Sequence, residues 1–256
     1  MGSLTGKVGL IFGVANERSI AWGIAQKLAK EGAELIFTYA GESFEKRVVP
    51  LAKELNAKII RSCDVTNQAE MDSLFNEISS VYGRLDMVVH SIAYAKKDEL
   101  RGRFHETSRE GFRIALDISA YSLIEIARRS YPLMKGRNGA IIAMTYYGSA
   151  KYVPNYNIMG VAKAALEASV RYLASDLGID GIRVNAISAG PVKTLAAAGV
   201  NNFKLLFHIV AEKSPLRRNV TLEEIANTAY FLLSDLSSAT TGEVIFVDSG
   251  YNIVGV

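Results

Sequence analysis

A single cysteine, Cys63, is all the thiol this chain carries. It excludes an intramolecular disulfide and cannot build a thiolate zinc cluster. Proline is scarce, at five in 256 residues, and no repeat or low-complexity linker breaks the chain. Neither sign of charge dominates: 29 Lys and Arg stand against 26 Asp and Glu, for a formal charge of +3, with no basic run. That balance argues against a nucleic-acid partner. No apolar stretch approaches the roughly 18–20 residues that span a bilayer, and the opening MGSLTGKVGLIFG moves into a strand-like run without a signal-peptide pattern. These absences predict a reduced, cytoplasmic protein with no membrane partner. What is abundant is apolar residues, 49% of the chain, enough for a large core.

Those residues fall in short β-branched runs separated by longer helical patterns. Runs at 7–13, 34–40, 58–65, 85–93, 139–147, 182–190 and 243–250 read as seven buried strands. Between the first two, Ile20, Ile24 and Leu28 with Ala21 and Ala25 recur at helical spacing, and Gly32 ends the pattern. Residues 42–55 read as a helix that Pro50 should kink or shorten. TSRE at 107–110 and TLEE at 221–224 each fit a capping box. Apolar strands alternating with helices predict one Rossmann-type doubly wound α/β domain over residues 1–256. Its seven-stranded sheet is mostly parallel, with helices on both faces. Such sheets bind ligands beyond the carboxyl ends of their strands, so the residues after each strand carry the functional information.

The usual G-x-G-x-x-G is missing after the first strand; GVANERSIAWGIA keeps Gly13 and Gly23, with Ser19 opening the helix as its expected N-cap. This loop suits either a phosphate held on backbone N–H groups or an ordinary strand-to-helix turn. After the second strand, Glu42 suits an adenosine ribose, and no Lys or Arg lies between Tyr39 and Glu45 to welcome a 2′-phosphate. The pattern favours NADH, with NADPH kept open by Arg18 and Lys46. Asp64 can accept from an adenine amino group or cap the next helix. Ser91, Ile92 and Ala93 are small or flat enough to lie against a nucleotide, and His90 reads as a hydrogen-bonding residue of the fold. Thr194 can bond a phosphate or an amide. The small apolar stretch 195–200 reads as a lid, which Phe203, Leu206 and Phe207 either extend or follow as a plain amphipathic helix.

These segments together carry a resemblance. GVANERSIAWGIA, HSIAYA, YYGSAKYVPNYNIMGVAKAALEASVRYLA and RVNAISAGPVKTLAA resemble the divergent, enoyl-[acyl-carrier-protein] reductase branch of the short-chain dehydrogenase/reductases. The Tyr156-x6-Lys163 spacing, with Tyr146 ten residues upstream, is its most specific feature. The resemblance implies that Gly13, Ser19, Ile20, Asp64, Val65, Ile92, Lys163, Val192, Lys193, Thr194, Leu195 and Ala196 contact the cofactor. It implies that Ala95 contacts substrate, that Tyr146 and Tyr156 are the active-site tyrosines, and that residues 192–213 form the lid. Ala40 stands where this branch often has Gln or a basic residue, so cofactor preference does not transfer with the rest. The implied reaction reduces the trans-2 double bond of an enoyl thioester carried on acyl carrier protein, in a homotetramer, with no metal. Lys204 and Arg103 can meet that acidic carrier or stay solvated. Hydride arriving at C3 puts charge on the thioester oxygen, where a Tyr156 phenol can stabilise it. Lys163 is expected to bond the nicotinamide ribose chiefly, and secondarily to lower the tyrosine's pKa. Seven positions apart on one helix, Tyr156 and Lys163 would share a face about 10 Å apart along the axis. The rival readings are a carbonyl reductase on the same fold and a nucleotide-sensing protein without catalysis.

Overall fold

The computed structural model describes residues 2–195, 197 and 203–255. Its strands are β1 (Val8–Phe12), β2 (Glu34–Tyr39), β3 (Ile59–Ser62), β4 (Met87–His90), β5 (Ala140–Thr145), β6 (Arg183–Ala189) and β7 (Val244–Val247). They form one sheet in the order β3-β2-β1-β4-β5-β6-β7. Every neighbouring pair is parallel. Each carboxyl end therefore opens on the same edge, and the strand order reverses between β1 and β4.

The helices are α1 (Ile20–Lys30), α2 (Glu42–Glu54), α3 (Gln68–Val81), α4 (Arg109–Leu116), α5 (Ser122–Met134), α6 (Ile158–Gly178), α7 (Phe203–Lys213) and α8 (Leu222–Leu233). Side chains alternate across each strand, so the sheet feeds two cores. Ile11, Leu35, Phe37, Val89, Ile142 and Ile187 pack with α1 and α8 on one face. Val8, Leu10, Phe12, Val88, Ile141 and Val184 pack with α3, α5 and α6 on the other. Burial on both faces is why the strands read as continuous apolar runs.

Three local expectations change. Pro50 does not shorten α2, which runs on to Glu54. The cap of α4 is Ser108, whose side chain accepts from the Gly111 amide, not Thr107; the Thr107 hydroxyl instead donates to Phe104 O and closes the preceding turn. The helix after Tyr156 starts only at Ile158. A π-helical turn over Asp117–Tyr121 joins α4 to α5, and no periodicity announced it.

The second capping box forms as expected. Thr221 Oγ1 accepts from the Glu224 amide and Glu224 Oε2 accepts from the Thr221 amide. It starts α8 where Leu222 meets α1: a Cβ at Gly23 would lie 3.4 Å from Leu222 Cβ. Thr221→Ala should cost about 1 kcal/mol, a fall of about 2–4 °C in Tm, measured by thermal denaturation.

Candidate active site

The site starts where β1 and β4 lie side by side. Gly13 follows β1 with φ +98°, and a Cβ there would sit 2.0 Å from Ser91 O on the loop after β4. The Ser91 amide donates to Phe12 O at 3.2 Å. Only glycine lets the two loops meet here, at the crevice where doubly wound sheets take their ligands. Ser19 occupies the N-cap of α1, yet its side chain caps nothing in that helix. Its Oγ instead accepts from the Ala15 and Asn16 amides, at 3.0 and 3.1 Å. The hydroxyl thus shapes the loop and leaves the first amides of α1 uncapped by it, a donor set suited to phosphate.

The remaining strand ends supply the flanks. Asp64 turns back on its own loop: Oδ1 accepts from the Thr66 amide and hydroxyl at 2.9 and 2.8 Å. The cap of α3 is Asn67, so Asp64 is not a helix cap. Val65 and Ile92 are half-buried against the same core. Ile20 is half-buried against the opposite one, and Val192 is buried there after β6. Thr194 donates its amide to Val192 O and accepts from the Ala197 amide, at 2.8 and 3.1 Å. The Lys193 ammonium points away from β6 and lies 4.9 Å from the ring centre of Phe207 on α7. Leu195 is exposed, and Ala196 with most of 195–200 lies outside the described residues. Glu42 is exposed in the first turn of α2. Arg18, also exposed, pairs with Glu17 at 3.7 Å.

Past β5 the two tyrosines come together. The Tyr146 and Tyr156 rings meet edge to face with centres 5.1 Å apart. Tyr156 is not on a helix: Asn155 at φ +61° and Asn157 at φ +37° flank it, two residues ahead of α6. Two glycines clear space for its ring. A Cβ at Gly148 would lie 2.5 Å from Tyr156 Cδ1, and one at Gly160 would lie 2.7 Å from Gly148 O. Gly160, the residue four past Tyr156, is therefore where the chain must stay bare for the tyrosine to fit. Because Tyr156 sits in a turn, helical arithmetic does not govern its distance from Lys163.

Lys163 is buried on α6, and its ammonium donates to Met144 O at 2.7 Å. Burial pulls its pKa down to about 8, against the nearby Glu167 carboxylate, which raises it. Burial pushes both phenols up, Tyr146 and Tyr156 alike. The further contributions to Tyr156 come from Tyr146 and Glu167, and both raise it. The Tyr146 hydroxyl is buried with no partner among the described residues. His90 is buried, bonds Ser122 Oγ through Nε2 at 2.7 Å, and has its pKa lowered to about 3 by burial and then by Lys163. It stays neutral and belongs to the fold, as read from the sequence. Burial likewise raises Cys63 to about 12, leaving an inert thiol.

Four residues of this region escaped the sequence reading. Ser119, in the π-helical turn, accepts from the Tyr94 amide at 2.9 Å and donates to Tyr94 O at 3.2 Å, fixing the loop that carries half-buried Ala95. Ser122 holds His90. Thr145 Oγ1 donates to Glu167 Oε1 at 2.6 Å. Only Thr145, at the end of β5, carried a prior signal; Ser119, Ser122 and Glu167 lie in helical segments that gave none.

A parallel sheet with a glycine-lined crevice at its switch point, and a tyrosine–lysine corner past β5, defines a short-chain dehydrogenase/reductase. A family model described as "Enoyl-(Acyl carrier protein) reductase" matches residues 13–252. The chain is 54% identical over 255 residues to "Enoyl-[acyl-carrier-protein] reductase [NADH] 1" of Rhizobium meliloti (strain 1021), covering 100% of this chain and 93% of that one. Its fold is similar to the crystal structure of the NADH enoyl-[acyl-carrier-protein] reductase of Aquifex aeolicus, with a TM-score of 0.97, 53% identity and full coverage of both chains. It is also similar to the Anaplasma phagocytophilum reductase solved in complex with NAD, with a TM-score of 0.95 and 49% identity, covering 100% of this chain and 98% of that one. This chain belongs to the enoyl-(acyl carrier protein) reductase family.

Gly13→Ala should abolish detectable NADH binding in a fluorescence titration and lower Tm, because the added carbon meets backbone on β4's loop and φ is positive. Gly178→Ala, with open space around it at the end of α6, should leave both unchanged.

Proposed function

We propose that this protein is an NADH-dependent oxidoreductase that reduces the trans-2 double bond of enoyl thioesters carried on acyl carrier protein, a step of fatty-acid synthesis. The observation that carries the reading is the corner made by Tyr146, Tyr156 and Lys163, with a buried, unpartnered phenol hydroxyl. The crevice fits a dinucleotide: bare Gly13 lets the loops after β1 and β4 close on each other at the switch point, and the α1 amides are uncapped by Ser19. Gly13, Ser19 and Ile20 would hold the pyrophosphate, Asp64 and Val65 the adenine, and Ile92, Lys163 and 192–196 the nicotinamide half. When bound there, the dinucleotide supplies hydride.

The chain's own residues do the rest. Negative charge develops on the thioester oxygen as C3 accepts hydride. A neutral Tyr156 phenol donates a hydrogen bond to that oxygen and stabilises the enolate. Burial keeps this phenol protonated well beyond the ordinary tyrosine range, so the donor persists across the working pH. Tyr146 and Ala95 line the acyl side. Lys163, whose ammonium has donors beyond the one given to Met144, bonds the ribose.

The lid reading, 192–213, is supported by α7, whose described residues include one buried side chain, Val210, with Leu205 and Ile209 exposed. Phe203 and Phe207 pack together, ring centres 5.9 Å apart, and Asn219 Nδ2 donates to Phe207 O at 3.0 Å. Such a lightly packed helix can move over an apolar acyl chain. We read residues 1–256 as one catalytic domain working in the cytoplasm. Among the described residues no helix is long and apolar enough to cross a membrane. A homotetramer is supported by apolar side chains left uncovered on α6 and beyond β7: Tyr172, Ile179 and Ile253 are 76%, 89% and 76% exposed. Lys204 and Arg103 are exposed and suit an acidic carrier. NADH is favoured over NADPH by Glu42, in the first turn of the helix after β2, and the lack of a basic residue from 39 to 45.

The test is NADH and NADPH oxidation with crotonyl and acetoacetyl thioesters in parallel. Turnover with crotonyl thioester and NADH is expected; turnover of acetoacetyl thioester alone would make the protein a carbonyl reductase. Tyr156→Phe should lower kcat about 10²–10³-fold with NADH affinity nearly intact, and unchanged turnover would remove the oxyanion role. Lys163→Ala should weaken NADH binding; normal binding with lost turnover would move Lys163 into the chemistry.

A further inference from the structure

Two side chains one turn apart on α6 are fastened to the last two residues of β5. The Lys163 ammonium donates to Met144 O at 2.7 Å, and Thr145 Oγ1 donates to Glu167 Oε1 at 2.6 Å. Positions four apart on a helix share a face, and Met144 and Thr145 are consecutive, so the pair sets the register of α6 against β5. The residue after β5 is Tyr146, and the turn that feeds α6 carries Tyr156. Tyr146, Tyr156 and Lys163 thus all hang from this junction. Lys163 must spend a donor on the ribose when the dinucleotide binds.

We propose that Glu167, held by Thr145, is a positioning residue that keeps Lys163 protonated and aimed at the dinucleotide ribose. The inference rests on the dinucleotide-binding reading above. Thr145 and Lys163 are both 5% exposed, and Glu167 is half-buried, so the carboxylate acts through poorly screened surroundings. The other ionisable groups around the corner do not compete. His90 on β4 is neutral, its pKa lowered to about 3. Tyr146 past β5 and Tyr156 before α6 are neutral phenols raised by burial. In the π-helical turn, Asp117 faces Arg113 at 3.7 Å, and on α5 Glu125 is taken by Arg128 and Arg129, at 2.8 and 2.7 Å. Glu167 alone among these offers a carboxylate to Lys163, and it opposes the burial that draws the ammonium down to about 8.

The sign follows. Lys163 binds the ribose best as an ammonium, so NADH affinity holds below its pKa and falls as pH rises through it. Removing the carboxylate lowers that pKa, and the fall moves to lower pH.

The test measures NADH dissociation constants from pH 6 to 10 by fluorescence, with far-UV circular dichroism and Tm as checks of folding. Glu167→Gln keeps an acceptor for Thr145 and removes the charge; its alkaline fall should move to lower pH by roughly half a pH unit or more. Thr145→Val keeps the charge and removes the latch. It should weaken NADH binding several-fold at pH 7, and Thr145→Ser should restore it. A folded Glu167→Gln with the wild-type pH profile overturns the proposal. Should Glu167→Gln fail to fold, Thr145→Val decides, and wild-type affinity there overturns it. These readouts need no enoyl substrate. Wild-type protein that binds no NADH sinks the dinucleotide reading itself, whereas wild-type binding with an unmoved profile in the variant sinks only the role of Glu167.

Discussion

Everything that converges at this site depends on β1 and β4 lying side by side and pointing the same way. Parallel neighbours deliver their following loops to one edge, and here the loops collide unless one of them lacks a side chain. Gly13 is that residue, because Ser91 O occupies the place of its Cβ. The absent G-x-G-x-x-G becomes intelligible on these terms. The glycine required by close approach of two backbones is kept. Where a later glycine would be expected, Ser19 uses its hydroxyl to hold the loop amides instead. One requirement is steric and admits no substitute, whereas the other is conformational and a hydroxyl meets it.

The same distinction explains the spacing of Tyr156 and Lys163. A tyrosine four before the lysine would occupy position 159, the place of buried Met159 in the first turn of α6, and the next position, 160, lies against Gly148 O with no room for a Cβ. The tyrosine is displaced to a turn held by two asparagines at positive φ, where asparagine is the commonest residue after glycine to sit. The Asn157 side chain anchors this turn with weak bonds to Arg101 O and Gly102 O, at 3.5 and 3.4 Å. The phenol then approaches from outside the helix axis and packs on Tyr146, rather than projecting from one helical face beside the lysine.

The sequence made some of this legible and hid the rest for physical reasons. The central strands were readable because both sheet faces are buried there, so β1, β4 and β5 are apolar nearly throughout, and the edge strands β3 and β7 were short apolar runs despite their partial exposure. The Thr221 box was readable because its partners are local. The Thr107 box misled for the same reason: a neighbouring serine competes for the cap, and only the chain's path chooses between them. Asp64 shows the limit of inference from residue type, since its carboxylate satisfies its own loop. The helical reading of Tyr156 failed because periodicity cannot see a turn set by positive φ. Glu167 and Thr145 were invisible as a pair. A glutamate in a helix and a threonine ending a strand are ordinary until the packing of α6 on β5 brings them together.

Burial at this corner also selects the chemistry. A general acid works best with a pKa near the operating pH, and both phenols are driven away from that range. Lys163 does not correct them, being itself weakened by burial. A phenol so placed is a poor source of protons and a persistent hydrogen-bond donor. Carbonyl reduction leaves an alkoxide on the reacting centre, which demands a proton from its neighbour. Reduction of a conjugated double bond leaves charge on an oxygen three bonds from the carbon that receives hydride. An enolate there is stabilised by a hydrogen bond alone, and its carbon can be protonated in a separate step. Under the proposed function, the desolvation that makes Tyr156 and Tyr146 unsuited to the first reaction suits them to the second, and Lys163 is left to serve the dinucleotide.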